Sequence, residues 1–473
     1  MLFNSFEFFG FLPIVFALYW FVFQRKIVLQ NLLILLASYF FYGWWSWQFM
    51  GLLLLSTTLD YFYGFGVSSS NKKKAKVFLW LSIFNNLGIL AIFKYYNFFV
   101  TQFQEGLELI GFHTNPVLLN VALPVGISFY TFHGMSYVFD IYRNHQRPVK
   151  NFIDYAVFVS FFPLLVAGPI ERAGHLLPQV QKARKFSYQQ ALEGCRLILW
   201  GLFKKVVIAD AIAQVIDPIF TNYIDYNSPT LFLAAIGFAF QIYGDFSGYS
   251  DIALGTAKLF GFELLSNFRF PYFSRDIAEF WRRWHISLSS WFKDYLYIPL
   301  GGSRQGLSKS VRNTFIIFLV SGFWHGASWN FIVWGFIHAC GFLPLLLLKR
   351  NRKNTDTVAL NKHLPSLKEL RQMILTFVFV TFAWIFFRAE NLENAIGFIS
   401  CIFTNWTQLG MISGKSIVVL GSILLLIDWY LRHNERQLRV PTWQPLRMAI
   451  YFSFALAIWL KLGGEQTFIY FQF

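Results

Sequence analysis

Apolar runs about as long as a bilayer is wide recur from one end of this chain to the other, and no other feature limits its possible folds so strongly. A hydrocarbon core about 30 Å thick is crossed by roughly 20 helical residues. Such runs fall at roughly 6–23, 27–43, 48–66, 77–93, 117–139, 190–216, 229–246, 312–324, 327–348, 372–387, 416–431 and 447–462. In lipid every backbone polar group must be bonded within the protein, and runs of this length achieve that as helices. Of the 473 residues only 14% are charged and 56% are hydrophobic. A soluble domain would carry about a quarter charged residues. No polar stretch is long enough for a soluble domain, and no internal repeat is visible. The expectation is an all-α polytopic membrane protein, one membrane-embedded domain over 1–473 with about eleven or twelve spans.

A net charge of +16 invites a nucleic-acid reading, but its distribution excludes one. The cations cluster in short loops: Arg25-Lys26, Lys72 to Lys76, Arg143 to Lys150, Lys182 to Lys185, Lys349 to Lys353 and Arg432 to Arg439. The alternate loops hold Glu105, Glu108, Asp217, Asp225, Glu390 and Glu393. This is the positive-inside pattern, and it places the N-terminus outside. Met1 to Glu7 lacks the basic start of a signal peptide and reads as the entry to a retained first span. Cys195, Cys340 and Cys401 have neither metal-ligand spacing nor an evident disulfide partner, so they read as buried filler.

Two segments do not fit simple crossing. Phe152 to Ile170 is apolar between basic flanks, and Pro163 with Gly168-Pro169 breaks any helix there, so it reads as a re-entrant hairpin. Asp276 to Arg304 mixes cations with aromatics at helical spacing and reads as an interfacial segment at the cytoplasmic face, dipping into the protein.

The chemistry centres on Ser321-Gly-Phe-Trp-His325-Gly-Ala-Ser-Trp-Asn330. His325 lies inside a long apolar stretch, where an ionisable group is costly and marks a site by default. Imidazole titrates near neutrality and suits general acid-base work. Trp324 supplies an apolar wall, and Gly326 permits a turn or close approach of a ligand. The run from Arg312 to Trp324 is about 13 residues, or about 20 Å of helix, which puts His325 past the middle of the membrane but short of the far side. A second histidine, His285, follows Trp281-Arg282-Arg283-Trp284. Arg282 and Arg283 have the geometry to hold phosphates, or they anchor the segment among lipid headgroups. Lys293 and Asp294 pair with each other or with these arginines. Asp245 reads as half of a structural ion pair with Arg282, Arg283 or Lys258. His133 and His338 read as core or polar lining, and Lys204-Lys205 as a snorkelling or helix-pairing couple. No phosphate loop, nucleophile elbow or metal motif is present.

Several stretches in order resemble the membrane-bound O-acyltransferase (MBOAT) family, in its alginate O-acetyltransferase branch. They are Pro163 to Arg172, Asp245 to Asp251, Asn267 to Tyr272, Phe280 to Trp291, Asp294 to Gly302, Trp324-His325-Gly326 and Phe468 to Phe473. The resemblance implies an MBOAT fold of helices around a central tunnel, with His325 as the catalytic histidine and His285 as the second active-site position. Trp281, Arg282, Arg283, Trp284, Asp294, Trp324 and Gly326 would line the tunnel or bind the donor. It implies acyl transfer to a hydroxyl, with acetyl-CoA as donor and no bound cofactor or metal. The acceptor would be an exported cell-surface polysaccharide such as alginate, reached through an extracytoplasmic partner of the SGNH type, from a bacterial inner membrane. Three readings compete: D-alanyl transfer from an acyl carrier protein to teichoic acid, acylation of a lipid or protein, and a lipid transporter or flippase. A transporter of repeat architecture predicts paired half-sequences with matching helix breaks, which this chain lacks.

Overall fold

The computed structural model describes residues 1–473 apart from 114, 121, 167, 409–412, 464–467 and 470–473. Among the described residues every regular element is helical, and they gather into two compact units. One comprises Met1–Ala191 with Thr256–Leu265, the other Leu192–Gly255 with Ser266–Phe473.

In the first unit the helices follow the apolar runs: α1 (Phe6–Ala17), α2 (Ile27–Gly43), α3 (Trp47–Val67), α4 (Lys72–Leu90), α5 (Tyr96–Leu109), α6 (Ile127–Tyr142), α7 (Phe152–Ser160), α8 (Phe162–Leu165) and α9 (Ala173–Val180). Polar groups hold the bundle where the hydrophobic effect cannot, since lipid is as apolar as the helix faces. Asp60 of α3 is buried and accepts from Ser82 Oγ (2.7 Å) and Asn86 Nδ2 (2.9 Å) of α4. α6 crosses against the same carboxylate at Gly134, where a Cβ would lie 2.0 Å from Asp60 Oδ2.

One expectation changes here and another is met. The span expected at 117–139 begins only at Ile127, because Pro116 and Pro124 keep the approach irregular and Gly126 enters the helix at φ +72°. The segment at Phe152–Ile170 breaks as its prolines require: α7 stops at Ser160, Phe161 is extended, and Pro163 sits in the first turn of α8. α5 and α9 escape a hydropathy reading. α5 carries Gln102, Gln104, Glu105 and Glu108 among its apolar residues, so its mean is low.

The second unit is built from α10 (Tyr188–Leu202), α11 (Asp210–Thr221), α12 (Ser228–Leu259), α13 (Ile277–Arg283), α14 (Ile286–Phe292), α15 (Leu307–His325), α16 (Trp329–Leu347), α17 (Leu367–Arg388), α18 (Leu392–Thr404), α19 (Lys415–Leu431) and α20 (Gln444–Lys461). α10 and α12 each begin or end across the unit boundary. They touch backbone to backbone through glycines seven residues apart. A Cβ on Gly248 would meet Gly201 O at 2.7 Å, and one on Gly255 would meet Gly194 O at 2.5 Å. The close approach brings the π-helical turn Phe203–Ala209 onto α12. Lys204 Nζ pairs with Asp251 at 2.7 Å, and Lys205 Nζ bridges Asp210 and Asp245, each at 2.7 Å. The two lysines therefore pair helices, as their sequence suggested. Asp245 is served by Lys205 rather than by Arg282, Arg283 or Lys258, because Gly248 admits the Lys205 backbone beside it.

α15 begins at Leu307, five residues before the apolar run at Arg312, with Gly306 at φ +93° as its N-cap. Its 19 residues span roughly 28 Å, so His325 ends a helix of nearly full crossing length rather than a short one. The polar first turns, Ser308 to Ser310, hid that start. The cysteines are not core filler. Cys195 and Cys340 are exposed and Cys401 is partly so. Among the described residues four helical stretches combine the length and apolarity for crossing: Lys72–Leu109, α12, α16 and α17.

The α10–α12 crossing yields a prediction. Replacing Gly248 with Leu forces the two backbones apart, and overpacking of this kind costs about 1–3 kcal/mol or more. The variant's thermal midpoint in detergent should fall by several degrees, while Gly88→Leu, at an open position, should leave it unchanged.

Candidate active site

His325 is the last residue of α15. The turn that follows is as tight as its glycine allows: a Cβ on Gly326 would sit 2.2 Å from the Phe331 ring. Two further glycines let α16 return against α15. A Cβ on Gly322 would meet Phe331 O at 2.2 Å, and one on Gly335 would meet Phe318 O at 2.2 Å. Asn330, on the first turn of α16, donates to Phe386 O (3.1 Å) and Ala389 O (2.6 Å), which binds the end of α17 to the same place. The imidazole of His325 is thus buried in a ring of aromatics: Trp324 at 4.8 Å, Trp334 at 5.1 Å and Phe387 at 5.2 Å between centroids.

His285 joins α13 to α14 in the left-handed region, at φ +42°. A non-glycine residue there costs of order 1–3 kcal/mol and persists only when its surroundings over-determine it. They do so through two backbone bonds with the segment 267–269: Arg269 N donates to Arg283 O (2.9 Å), and Ile286 N donates to Asn267 O (2.9 Å). Ser287 Oγ adds a bond to Asn267 Oδ1 at 2.5 Å. The fully buried His285 ring meets Phe246 edge-on at 4.7 Å and Trp324 at 6.2 Å. Trp324 is therefore a ring that both histidines contact, which brings two residues far apart in sequence onto one indole.

A cavity of about 610 Å³ opens beside them, bounded by α14, α15, the end of α16 and the segment after it. Lys293, Lys349 and Arg352 stand among its lining, and Trp281, Phe318 and Phe342 form an apolar wall. Along α15 the lining residues Ser310, Thr314, Ile317, Phe318 and Ser321 recur at three- and four-residue steps. That spacing is one helical face, and its next position is His325. The cavity stops at Ser321, about 6 Å or one turn short of His325. Neither histidine lines it, because Trp281 packs on Trp334 (5.7 Å) and Trp334 on His325. The tunnel expected past both histidines is in this structure a cavity closed by aromatic rings.

The remaining expected site residues divide. Trp281 lines the cavity, its indole N–H donating to His338 Nδ1 at 3.3 Å. Trp284 is buried behind it against Phe280 (5.6 Å) and Trp384 (5.0 Å). Asp294 lies 3.6 Å from Lys293, in the pairing its sequence suggested, and outside the cavity lining. Arg282 and Arg283 do not face the cavity either. Arg283 is bonded to buried Glu279 (2.8 Å) and to Asp356 O (2.9 Å). Arg282 donates to Asn351 O (2.7 Å) and Asn354 O (2.6 Å). Arg275 reaches Glu279 and the Asp356 carboxylate (2.9 Å). The guanidinium holds the Asp356 carboxyl below its usual range, so this anchor is charged at neutral pH and weakens only as acid titrates it. Together the three arginines clamp the segment 351–356, which continues from the cavity residues Lys349, Asn351 and Arg352. The cations that do face the cavity were visible in sequence only as loop charge, and the Ser310, Thr314, Ser321 stripe only as hydroxyls in an apolar run.

A family profile described as MBOAT, membrane-bound O-acyltransferase family, matches residues 125–392. The chain belongs to that family. The acyltransferase is 39% identical over 437 residues to the probable alginate O-acetylase AlgI of Pseudomonas syringae pv. tomato, covering 91% of this chain and 80% of that protein. It is 36% identical to the Pseudomonas putida protein of the same name over the whole of both chains. It is also 35% identical to the peptidoglycan O-acetyltransferase of Helicobacter pylori, over 84% of this chain and 78% of the other. The enzyme is accordingly a multi-pass membrane O-acyltransferase, and the transporter reading falls away.

The arginine clamp makes a structural prediction for this acyltransferase. Arg283→Gln withdraws one of two cations from buried Glu279. Its cost should fall below the roughly 3–5 kcal/mol of a fully orphaned buried charge, since Arg275 still holds the carboxylate. A reduced thermal midpoint, larger than that of Arg282→Gln, is the expected result.

Proposed function

We propose that this enzyme takes an acetyl group from cytoplasmic acetyl-CoA and delivers it for O-acetylation of an exported cell-surface polysaccharide, through an extracytoplasmic acetyltransferase partner of the SGNH type. The observation that carries the reading is the α15 face, which runs from a cavity holding Lys293, Lys349 and Arg352 to His325 one turn beyond its end. The cations suit the phosphates of the donor, and the apolar wall suits its pantetheine arm. Relatives named alginate O-acetylase support both the acetyl group and a polysaccharide acceptor, and the Helicobacter pylori relative extends the acceptor class to peptidoglycan. The basic loops support an inner-membrane orientation with the N-terminus outside and the cavity opening to the cytoplasm.

In this mechanism an acceptor hydroxyl attacks the thioester carbonyl carbon. The C–O bond forms and the C–S bond breaks, while His325 takes the hydroxyl proton and passes it to the departing thiolate. His285 donates to the carbonyl oxygen as negative charge gathers there. CoA stays on the side from which it came, and only the acyl group crosses.

His325→Ala should remove ester-linked acetate from the exported polymer while the protein remains at normal levels in the membrane; normal acetate in such a strain would refute the assignment. Lys349→Glu and Arg352→Glu should each raise the donor KM about tenfold or more with little change in kcat, the scale of one lost charge-assisted hydrogen bond. The same variants separate the donors: a carrier-protein thioester transferred in preference to acetyl-CoA would favour the D-alanyl type of donor. Single cysteines at Ser289 and Ser303, both in the cavity lining, should react with an impermeant thiol reagent only from the cytoplasmic side.

A further inference from the structure

Of the sequence motif Phe468 to Phe473, the described residues Phe468 and Ile469 do not line the cavity. Its last four residues lie outside the described residues, but Phe468 and Ile469 are described, and both are fully buried. They dock on α12 directly behind His285. The Ile469 amide donates to Asp245 Oδ2 at 2.7 Å. The other oxygen of that carboxylate is paired with Lys205, which also holds Asp210. The Phe468 ring lies 4.3 Å from Tyr249 and 6.1 Å from Phe246. Phe246 is the ring that backs His285, edge-on at 4.7 Å. A buried aspartate is therefore held by a lysine in position to receive one backbone amide of a distant segment, and the Phe468 ring of that segment packs on Phe246.

We infer that the Phe468–Ile469 segment is a positioning element of the acyl-transfer site, acting on His285 through Phe246. His285 is in a strained backbone conformation, and the backbone hydrogen bonds around it fix the main chain rather than the ring. The imidazole plane is set by the rings around it, and on the α12 side that ring is Phe246. With Phe468 removed, Phe246 can tip into the vacated space and the imidazole can follow. Phe468, Asp245 and Lys205 are thus positioning residues, not catalytic ones. Misplacement of a reacting group by about 1 Å can cost on the order of 100-fold in rate.

The inference rests on the role given to His285 above, so its test uses a readout that needs no catalysis. Full-length enzyme in detergent is treated with diethyl pyrocarbonate, and modification of individual histidines is followed by mass spectrometry, alongside steady-state acetyl transfer. Phe468→Ala should speed modification of His285 several-fold and leave His338, buried elsewhere in the unit, unchanged. It should lower kcat about 10- to 100-fold with donor KM within about twofold. Asp245→Asn, which keeps an acceptor for the Ile469 amide but weakens the pair with Lys205, should shift both readouts the same way by less. Should Phe468→Ala fail to fold, Phe468→Leu, which keeps apolar volume but not the flat ring, is judged by the same measurements. Unchanged His285 modification together with unchanged kcat would overturn the inference and make the segment filler. Equal acceleration at His285 and His338 would also overturn it, as general loosening. Faster His285 modification with wild-type kcat would overturn the catalytic role of His285 while leaving His325 and the donor cavity standing.

Discussion

The backbone contact between α15 and α16 is the constraint on which this site depends. Gly322 and Gly335 bring the helices so close that a methyl group on either would meet a carbonyl oxygen at 2.2 Å. Because the pair closes that tightly, the intervening turn is short, and His325 is left at its tip. Because the turn is short, Trp334 on the returning helix lies over the same imidazole. The hydrophobic effect contributes little to helix association inside lipid, so close packing of small residues must supply the adhesion. The same device recurs between α10 and α12, where the glycines bring Lys204 and Lys205 within reach of the carboxylates of α12.

Charge is used here chiefly to hold shape. Glu279 is buried, and two arginines neutralise it, Arg275 from four residues before it and Arg283 from four residues after it. Those arginines then spend their remaining donors on backbone oxygens of the segment 351–356, together with Arg282. The arrangement matches the fork geometry of guanidinium, which bonds several acceptors at once in a fixed plane. The flexible lysines and Arg352 are the cations that line the cavity. Shape is thus kept by arginine, while the cavity lining holds mostly point charges on mobile stems.

Much of this was legible in the sequence, and the misses have a common cause. Runs of apolar residues locate helices well where a helix is apolar all round, as in α2 and α16. They fail where a helix has one wet face, as in α5 with its glutamines and glutamates, and at polar first turns, as in α15. His325 stood out because an ionisable residue amid apolar neighbours is costly and so seldom incidental, whereas His285, set among cations and aromatics, was singled out only by the family resemblance. The roles of Arg282 and Arg283 were not, since sequence lists a cation's charge but not its partners. Nothing in the local sequence says that Glu279 is buried, that carbonyl oxygens from residues 351–356 converge on α13, or that Lys205 rather than a nearer cation serves Asp245. The hydroxyl stripe on α15 was readable in principle, as polar residues recurring on one face of a span that ends in a histidine.

The rings that close the cavity have a bioenergetic consequence. A water-filled passage through a membrane conducts protons, and a proton-conducting enzyme would discharge the gradient on which its cell depends. Between the cavity and His325 stand Trp281 and Trp334, with Phe318 beside them. None of these side chains titrates at physiological pH, and Trp281 has its N–H engaged by His338. A path made of indole and phenyl faces breaks any file of water. On the proposed route the acyl group, being small and uncharged, would pass such a barrier by a brief displacement of rings, while hydrated protons would find no continuous chain of hydrogen bonds. The aromatic crowding around His325 would then let acyl transfer run across a membrane without opening a leak.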